Sequence, residues 1–215
     1  MLDVPQLPLT ELFALLAAIA FAAGLNVYVT VAALGLFARF GNVPLPPALL
    51  LLKTWPIIGA STALFVVEFF ADKIPAFDLV WNALHTFVRV PVAALLAYAA
   101  TRQLTPAQQL VAAALGAAIA LAAHGGKTAV RAAVTPSPEP FSNITLSLSE
   151  DILAAGLIWL ATRHPYMAGT IALCLVAIIV LLARFVIRAT LAIWRRIYAK
   201  RSKKELEQRG NRNRD

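Results

Sequence analysis

Charge is scarce in this chain. Only 14% of its 215 residues are Asp, Glu, Lys or Arg, against about 25% in an ordinary soluble domain. Hydrophobic residues make up 60% of the sequence and the mean hydropathy is +0.75, which excludes a water-soluble globular domain and points to an all-α polytopic membrane protein. Cysteine is nearly absent too. The one copy, Cys174, lies in an apolar run, so no internal disulfide can form, and it reads as a small core residue. There is no His-Glu-x-x-His pair and no Cys/His cluster, so neither a metal nor another cofactor is expected. No nucleophile motif stands out, which weighs against an enzyme. The opening Met1-Leu2-Asp3-Val4-Pro5 lacks a basic stretch, and no small-residue cleavage site follows. The first hydrophobic segment is therefore expected to remain as a membrane helix.

The charge that is present is concentrated at one end. Residues 184–215 carry eleven Lys/Arg against Glu205, Glu207 and Asp215, a net +8, so the first 183 residues balance to zero. Basic residues flanking a membrane span favour the cytoplasmic side, which predicts a cytoplasmic C-terminus. The cluster from Arg195 to Lys204 also suits anionic lipid headgroups, at about 1 kcal/mol per basic residue. A nucleic-acid role for this tail is not favoured, because the topology bias accounts for it without a further partner.

Six hydrophobic segments can be drawn, giving about six transmembrane helices in a domain over residues 1–183, followed by a basic amphipathic helix and tail over 184–215. The first is Leu9–Ala38. After a loop with Pro44, Pro46 and Pro47, Ala48–Leu52 reads as a short interfacial or re-entrant piece. Trp55-Pro56 opens the second span, which ends near Asp72. The third is Asp78–Ala100, with Pro91 expected to kink it. The fourth is Pro106–Val134. Thr135–Asn143 holds three prolines and predicts an extended connection. The fifth runs from Ile144, where Ser147 and Glu150 have capping-box spacing, to Arg163. The sixth is Tyr166–Ala183. Beyond Lys204 the sequence reads as a frayed tail.

Two segments are interrupted halfway, the first at Gly24-Leu25-Asn26 and the fourth at His124-Gly125-Gly126-Lys127. A break inside a bilayer frees backbone groups that need protein or a polar cavity around them, and paired breaks mark transporter-like sites. Residues 14–33 and 114–133 align without gaps and share ten of twenty positions, eight of them alanines. With three spans per half, 9–100 and 106–183, the pattern fits two inverted repeats with broken helices.

Ionisable residues inside membrane helices are costly and usually face the bundle interior. Asp78, Asn82, His85 and Arg89 step by four, three and four, and His124, Lys127 and Arg131 by three and four, so each set shares a helix face. Glu68 and Asp72 are one turn apart; Glu150 and Asp151 are adjacent. The candidate substrate-binding set is therefore Asn26, Glu68, Asp72, His85, Arg89, His124, Lys127, Arg131, Glu150 and Asp151. Half-helix N-termini would add positive potential for an anion, arginine can grip it with two bonds, and Glu68, His85 or His124 could carry a coupling proton. The competing interpretation is that these residues are interhelical ion pairs holding the bundle together.

The runs Val67-Glu-Phe-Phe-Ala-Asp-Lys-Ile-Pro75, Trp81-Asn-Ala-Leu-His-Thr-Phe-Val-Arg89, Ala123-His-Gly-Gly-Lys127 and Ser137-Pro-Glu-Pro-Phe-Ser-Asn143, with Glu150-Asp151, resemble an uncharacterised bacterial membrane-protein family, domain of unknown function 4126. The resemblance covers roughly residues 10 to 165 and implies a multi-pass protein of the bacterial inner (plasma) membrane. Its characteristic polar positions correspond to Glu68, Asp72, Lys73, Asp78, His85, Arg89, His124, Lys127, Glu150 and Asp151. It implies no activity. The residues themselves favour a small transporter or channel-like protein for an anionic solute or lipid phosphate. The expected partners are the bilayer, anionic headgroups, a small anionic ligand and a second copy in a homodimer. A membrane scaffold or assembly factor, and an enzyme acting on a lipid phosphate, are the alternatives.

Overall fold

Leu and Ala dominate the first helix, α1 (Leu9–Leu25), which follows Pro8 and carries Glu11 in its first turn, where the helix dipole favours an acid. Every residue from Leu15 to Leu25 is buried. A helix apolar all round belongs at the centre of its domain, and α1 packs against α2 (Val27–Phe40), α4 (Pro75–Ala100), α5 (Pro106–Val134) and α6 (Pro140–Arg163). A 3₁₀ helix, Pro47–Lys53, leads into α3 (Trp55–Ala71), and α7 spans Pro165–Arg212. The computed structural model describes residues 7–41, 43, 45–71, 75–134 and 140–212, leaving out the side chains at 75–83, 134, 140–143, 193, 196, 197 and 199–212. No strand occurs among the described residues, as an all-α fold requires.

Contacts between the helices are made by small residues. A methyl group at Gly24 would collide with the backbone carbonyl of Ala120 on α5, and one at Gly169 with Ala14 of α1. Between α4 and α5, Gly116 lies against Ala93 and Ala97. Lipid is as apolar as the helices, so close packing of this kind replaces the hydrophobic effect as the force between them. Large apolar side chains point outward instead, among them Leu110, Val111, Leu115 and Leu121 on α5 and Ile152 and Trp159 on α6. Exposed apolar surface this continuous fits lipid, not water.

By length and composition, three helices among the described residues can cross a bilayer: Pro106–Ala133, Ile144–Arg163 and Pro165–Ala192. A fourth crossing arises if the 3₁₀ helix and α3, bent by 67° at their junction, count as one. The six expected spans are thus not all found. The difference lies in the first segment, where α1 and α2 have 17 and 14 residues, about 26 and 21 Å at 1.5 Å per residue and each short of a ~30 Å hydrocarbon core, and in the third, of which Leu84–Ala100 is likewise a shorter apolar helix among the described residues.

Several expected boundaries hold. The first segment breaks at Asn26, the short piece before Trp55 is a separate helix, and the limits of α5 match. Others move. α5 runs unbroken through His124-Gly125-Gly126-Lys127, because glycine keeps its backbone N–H and costs only about 1 kcal/mol in a helix, whereas a lost donor requires proline. α6 begins at Pro140 and not Ile144, since proline suits a first turn; Ser147 and Glu150 therefore lie inside the helix. α4 is continuous through Pro91. The tail beyond Lys204 is helical to Arg212, consistent with its Glu, Leu, Gln and Arg content.

The chain divides into two units, Met1–Val176 and Ala177–Asp215. In the first, Thr10 Oγ1 and the Tyr166 hydroxyl are 2.9 Å apart, tying the start of α7 to α1. The second is the remainder of α7, with exposed Leu181, Phe185, Leu191 and Trp194.

Candidate functional site at the α1–α2 break

Asn26 is extended, with φ −149° and ψ 106°, and this single residue ends one helix and starts the next. Its N–H donates to Ala22 O at 2.9 Å and its C=O accepts from Thr30 N at 3.1 Å. The side chain then serves both directions. Oδ1 accepts from the amides of Tyr28 and Val29, each at 3.0 Å, capping α2 as Asn does at a helix start. Nδ2 donates to Asp151 Oδ1 of α6 at 2.8 Å. The freed carbonyl of Leu25 accepts from Lys127 Nζ of α5 at 3.2 Å. Both ends of the break are thus met by protein groups, as a bilayer interior demands.

Lys127 connects this break to a second group. Its Nζ lies 3.0 Å from Glu150 Oε2, and Arg131 Nη2 reaches the same oxygen at 2.8 Å. Arg131 Nε adds a longer contact to Oε1 at 3.4 Å. One carboxylate is therefore held between two cations one turn apart on α5, and its side chain keeps 12% exposure while that of Lys127 has none.

The third group lies between α3, α4 and α5. Arg89 and Glu68, both fully buried, form an ion pair. Arg89 Nη1 is 2.9 Å from His124 Nδ1. A guanidinium only donates, so His124 Nδ1 is the acceptor. The ring is then neutral, and its Nε2–H donates to Thr86 Oγ1 at 2.7 Å. Among the described residues, buried Glu68 Oε2 has no hydrogen-bond partner. Beside this group, His85 Nε2 and the Tyr28 hydroxyl are 3.0 Å apart with their rings edge to face.

Eight of the ten expected residues fall into these three groups, His85 lies beside the third, and Asp72 lies outside the described residues. Two expectations change. The amides at the start of α2 are capped by Asn26 Oδ1, so that N-terminus is already occupied and does not face an open anion site. Arg89, Lys127 and Arg131 each face a carboxylate. Of the adjacent acids, Glu150 pairs with Lys127 and Arg131 and Asp151 accepts from Asn26. Tyr28 and Thr86 were missed by sequence reasoning. Tyr28 sits two positions past the break, and Thr86 shares the face of Arg89 at i,i+3, which are the signals by which they were open to detection.

Among the described residues, no group of three His, Cys, Asp or Glu side chains could hold a metal ion. Cavities of about 370 Å³, beside Leu12, Pro46, Ala100 and Arg102, and about 300 Å³, beside Phe13, Leu16, Gly116 and Leu173, lie apart from the polar groups.

A family model described as a domain of unknown function (DUF4126) matches residues 13–185. The chain belongs to the DUF4126 family. The match reaches twenty residues beyond the resemblance seen in the sequence and takes in α7 as far as Phe185. All three polar groups lie within the DUF4126 domain, and the basic end of α7 lies beyond it. No curated protein and no solved structure matches the chain.

Proposed function

We propose that this protein is a small membrane transporter or channel-like protein for an anionic solute or a lipid phosphate headgroup, with the α1–α2 break as its working region. One observation carries the proposal: Glu150 lies between Lys127 and Arg131, beside a helix break in the domain centre. That geometry holds a carboxylate with charge-assisted bonds, and a solute carrying two oxygens could exchange with Glu150 on the same cations. Discontinuous helices are where transporters place such sites. The halves 9–100 and 106–183 then correspond as inverted repeats in which α1 and α5 cross at Gly24 and Ala120 and only the first is broken. The basic end of α7 sets the C-terminus on the cytoplasmic side of the plasma membrane.

The test is thermal stability of the detergent-purified protein against phosphate, carboxylates and polyprenyl phosphate, followed by uptake into proteoliposomes. A ligand-specific rise in Tm, lost in Arg131→Gln, is expected. Neither a shift nor uptake with any member would overturn the proposal.

A second reading is favoured by the pairing itself. Arg89, Lys127 and Arg131 all face carboxylates, as in a scaffold or assembly factor whose charges only fasten helices. A stoichiometric partner on purification, with no response to any anion, would support it.

A further inference from the structure

The break at Asn26 changes the bonding of two α1 carbonyls. In an unbroken helix, Gly24 O and Leu25 O would accept from the amides of Tyr28 and Val29. Both amides donate to Asn26 Oδ1 instead. Leu25 O is left at the negative end of α1, and Glu150 Oε2 comes in from α6. A single atom, Lys127 Nζ, lies 3.2 Å from the carbonyl and 3.0 Å from the carboxylate. Asp151 brings further negative charge to the same place through Asn26. A freed carbonyl at a half-helix C-terminus, joined by a carboxylate, is the oxygen set with which broken membrane helices hold alkali cations.

We infer that Lys127 is a tethered substitute for a bound monovalent cation, and that the α1–α2 break is a latent alkali-cation site. The fully buried lysine side chain delivers one compact positive charge with three donors, so the oxygens are satisfied without a free ion. Removing the ammonium takes away a cation held 3.2 Å from Leu25 O and 3.0 Å from Glu150 Oε2, and a partly dehydrated alkali cation takes its place on the same two oxygens. Arg131 still holds Glu150 at 2.8 Å, so the affinity is modest and shows at high millimolar salt. One consequence rests on the transporter proposal: solute movement by the wild-type protein does not depend on Na⁺ or K⁺. The latent site itself does not rest on it.

The experiment uses the full chain in detergent, with Tm measured in NaCl or KCl against choline chloride at matched ionic strength, so that screening cancels. Wild type, Lys127→Ala and Lys127→Ala/Glu150→Gln are compared. The expected result is a saturable rise of Tm in NaCl or KCl over choline chloride for Lys127→Ala, as ligand linkage requires. The wild type and the double variant should show none. A folded, monodisperse Lys127→Ala that does not distinguish alkali cations from choline overturns the inference, and so does an equal response in the wild type. If Lys127→Ala cannot be purified in choline chloride, extraction is repeated in NaCl. Recovery there alone supports the site, and failure in both media counts against it. Chloride is common to every sample and only the cation varies, so a negative result leaves the anion proposal standing, and a negative anion panel leaves this inference standing.

Discussion

Arg89 and Glu68 show how the charged residues of this domain depend on one another. Taking either group out of water costs several kcal/mol, and their attraction repays that only while both are present. With both fully buried, Arg89→Ala or Glu68→Ala alone should lower stability by about 3–5 kcal/mol, whereas Glu68→Leu combined with Arg89→Met should come back close to wild type. A double-mutant cycle on thermal unfolding in detergent reads this directly; single variants as stable as the wild type would show that the pair carries no such cost. The same cycle run on uptake separates the two readings of the site, since a structural pair leaves the double variant active and a functional one does not. At this scale the sequence was informative about faces and silent about partners. Spacing placed His124, Lys127 and Arg131 on one side of α5, and they do act there. Nothing in the spacing could show that Lys127 reaches back to Leu25, 102 positions earlier, because that contact depends on how two helices cross.

The two glycine-containing interruptions had different fates for a reason that belongs to the helix. At Asn26 a side chain offers the amides of α2 an acceptor better placed than the carbonyls behind them, so the ladder is exchanged. At Gly125-Gly126 no such competitor is present and the ladder continues. The alignment that set Gly24 opposite His124 in sequence was therefore misleading about breaks, although Gly24 does meet α5 in space, at Ala120 and Ala123. Two contrasts follow. Gly24→Ala should destabilise the domain, because its methyl group meets a backbone carbonyl, whereas Gly125→Ala, with open space around it, should be neutral or gain up to about 1 kcal/mol of helix preference. Equal Tm values for the two variants would contradict the crossing at Gly24. Asn26→Ala removes the cap and leaves Asp151 without its Asn26 donor, for a loss of about 2–4 kcal/mol. Asn26→Asp keeps the acceptor for both amides but sets a second carboxylate against Asp151, so it should not rescue stability. If it does, the Asn26–Asp151 bond contributes little.

For the whole molecule, composition is decisive about the environment and imprecise about the number of crossings. Hydropathy marks α5, α6 and α7 as spans because each is long and apolar without interruption. It overcounts the first segment, since the mostly apolar stretch Leu9–Ala38 looks like one crossing until Asn26 divides it. The charge distribution makes a separate statement about orientation, carried almost wholly by the basic residues at the end of α7. The other 183 residues hold eight Lys or Arg against eleven in the last 32, which leaves little to oppose it. Fusing alkaline phosphatase, active only outside the cytoplasm, after Asp215 should therefore give no activity, while a fluorescent protein at the same point should mature. Changing Arg195, Arg196, Lys200, Arg201, Lys203 and Lys204 to Gln removes most of the local charge. Because the remaining 183 residues balance to zero, orientation should then become mixed, and phosphatase activity should rise. Phosphatase that stays silent after the substitution would mean that the helices of the DUF4126 domain hold the orientation themselves, and that the basic segment acts on something else, with anionic headgroups the first candidate to test.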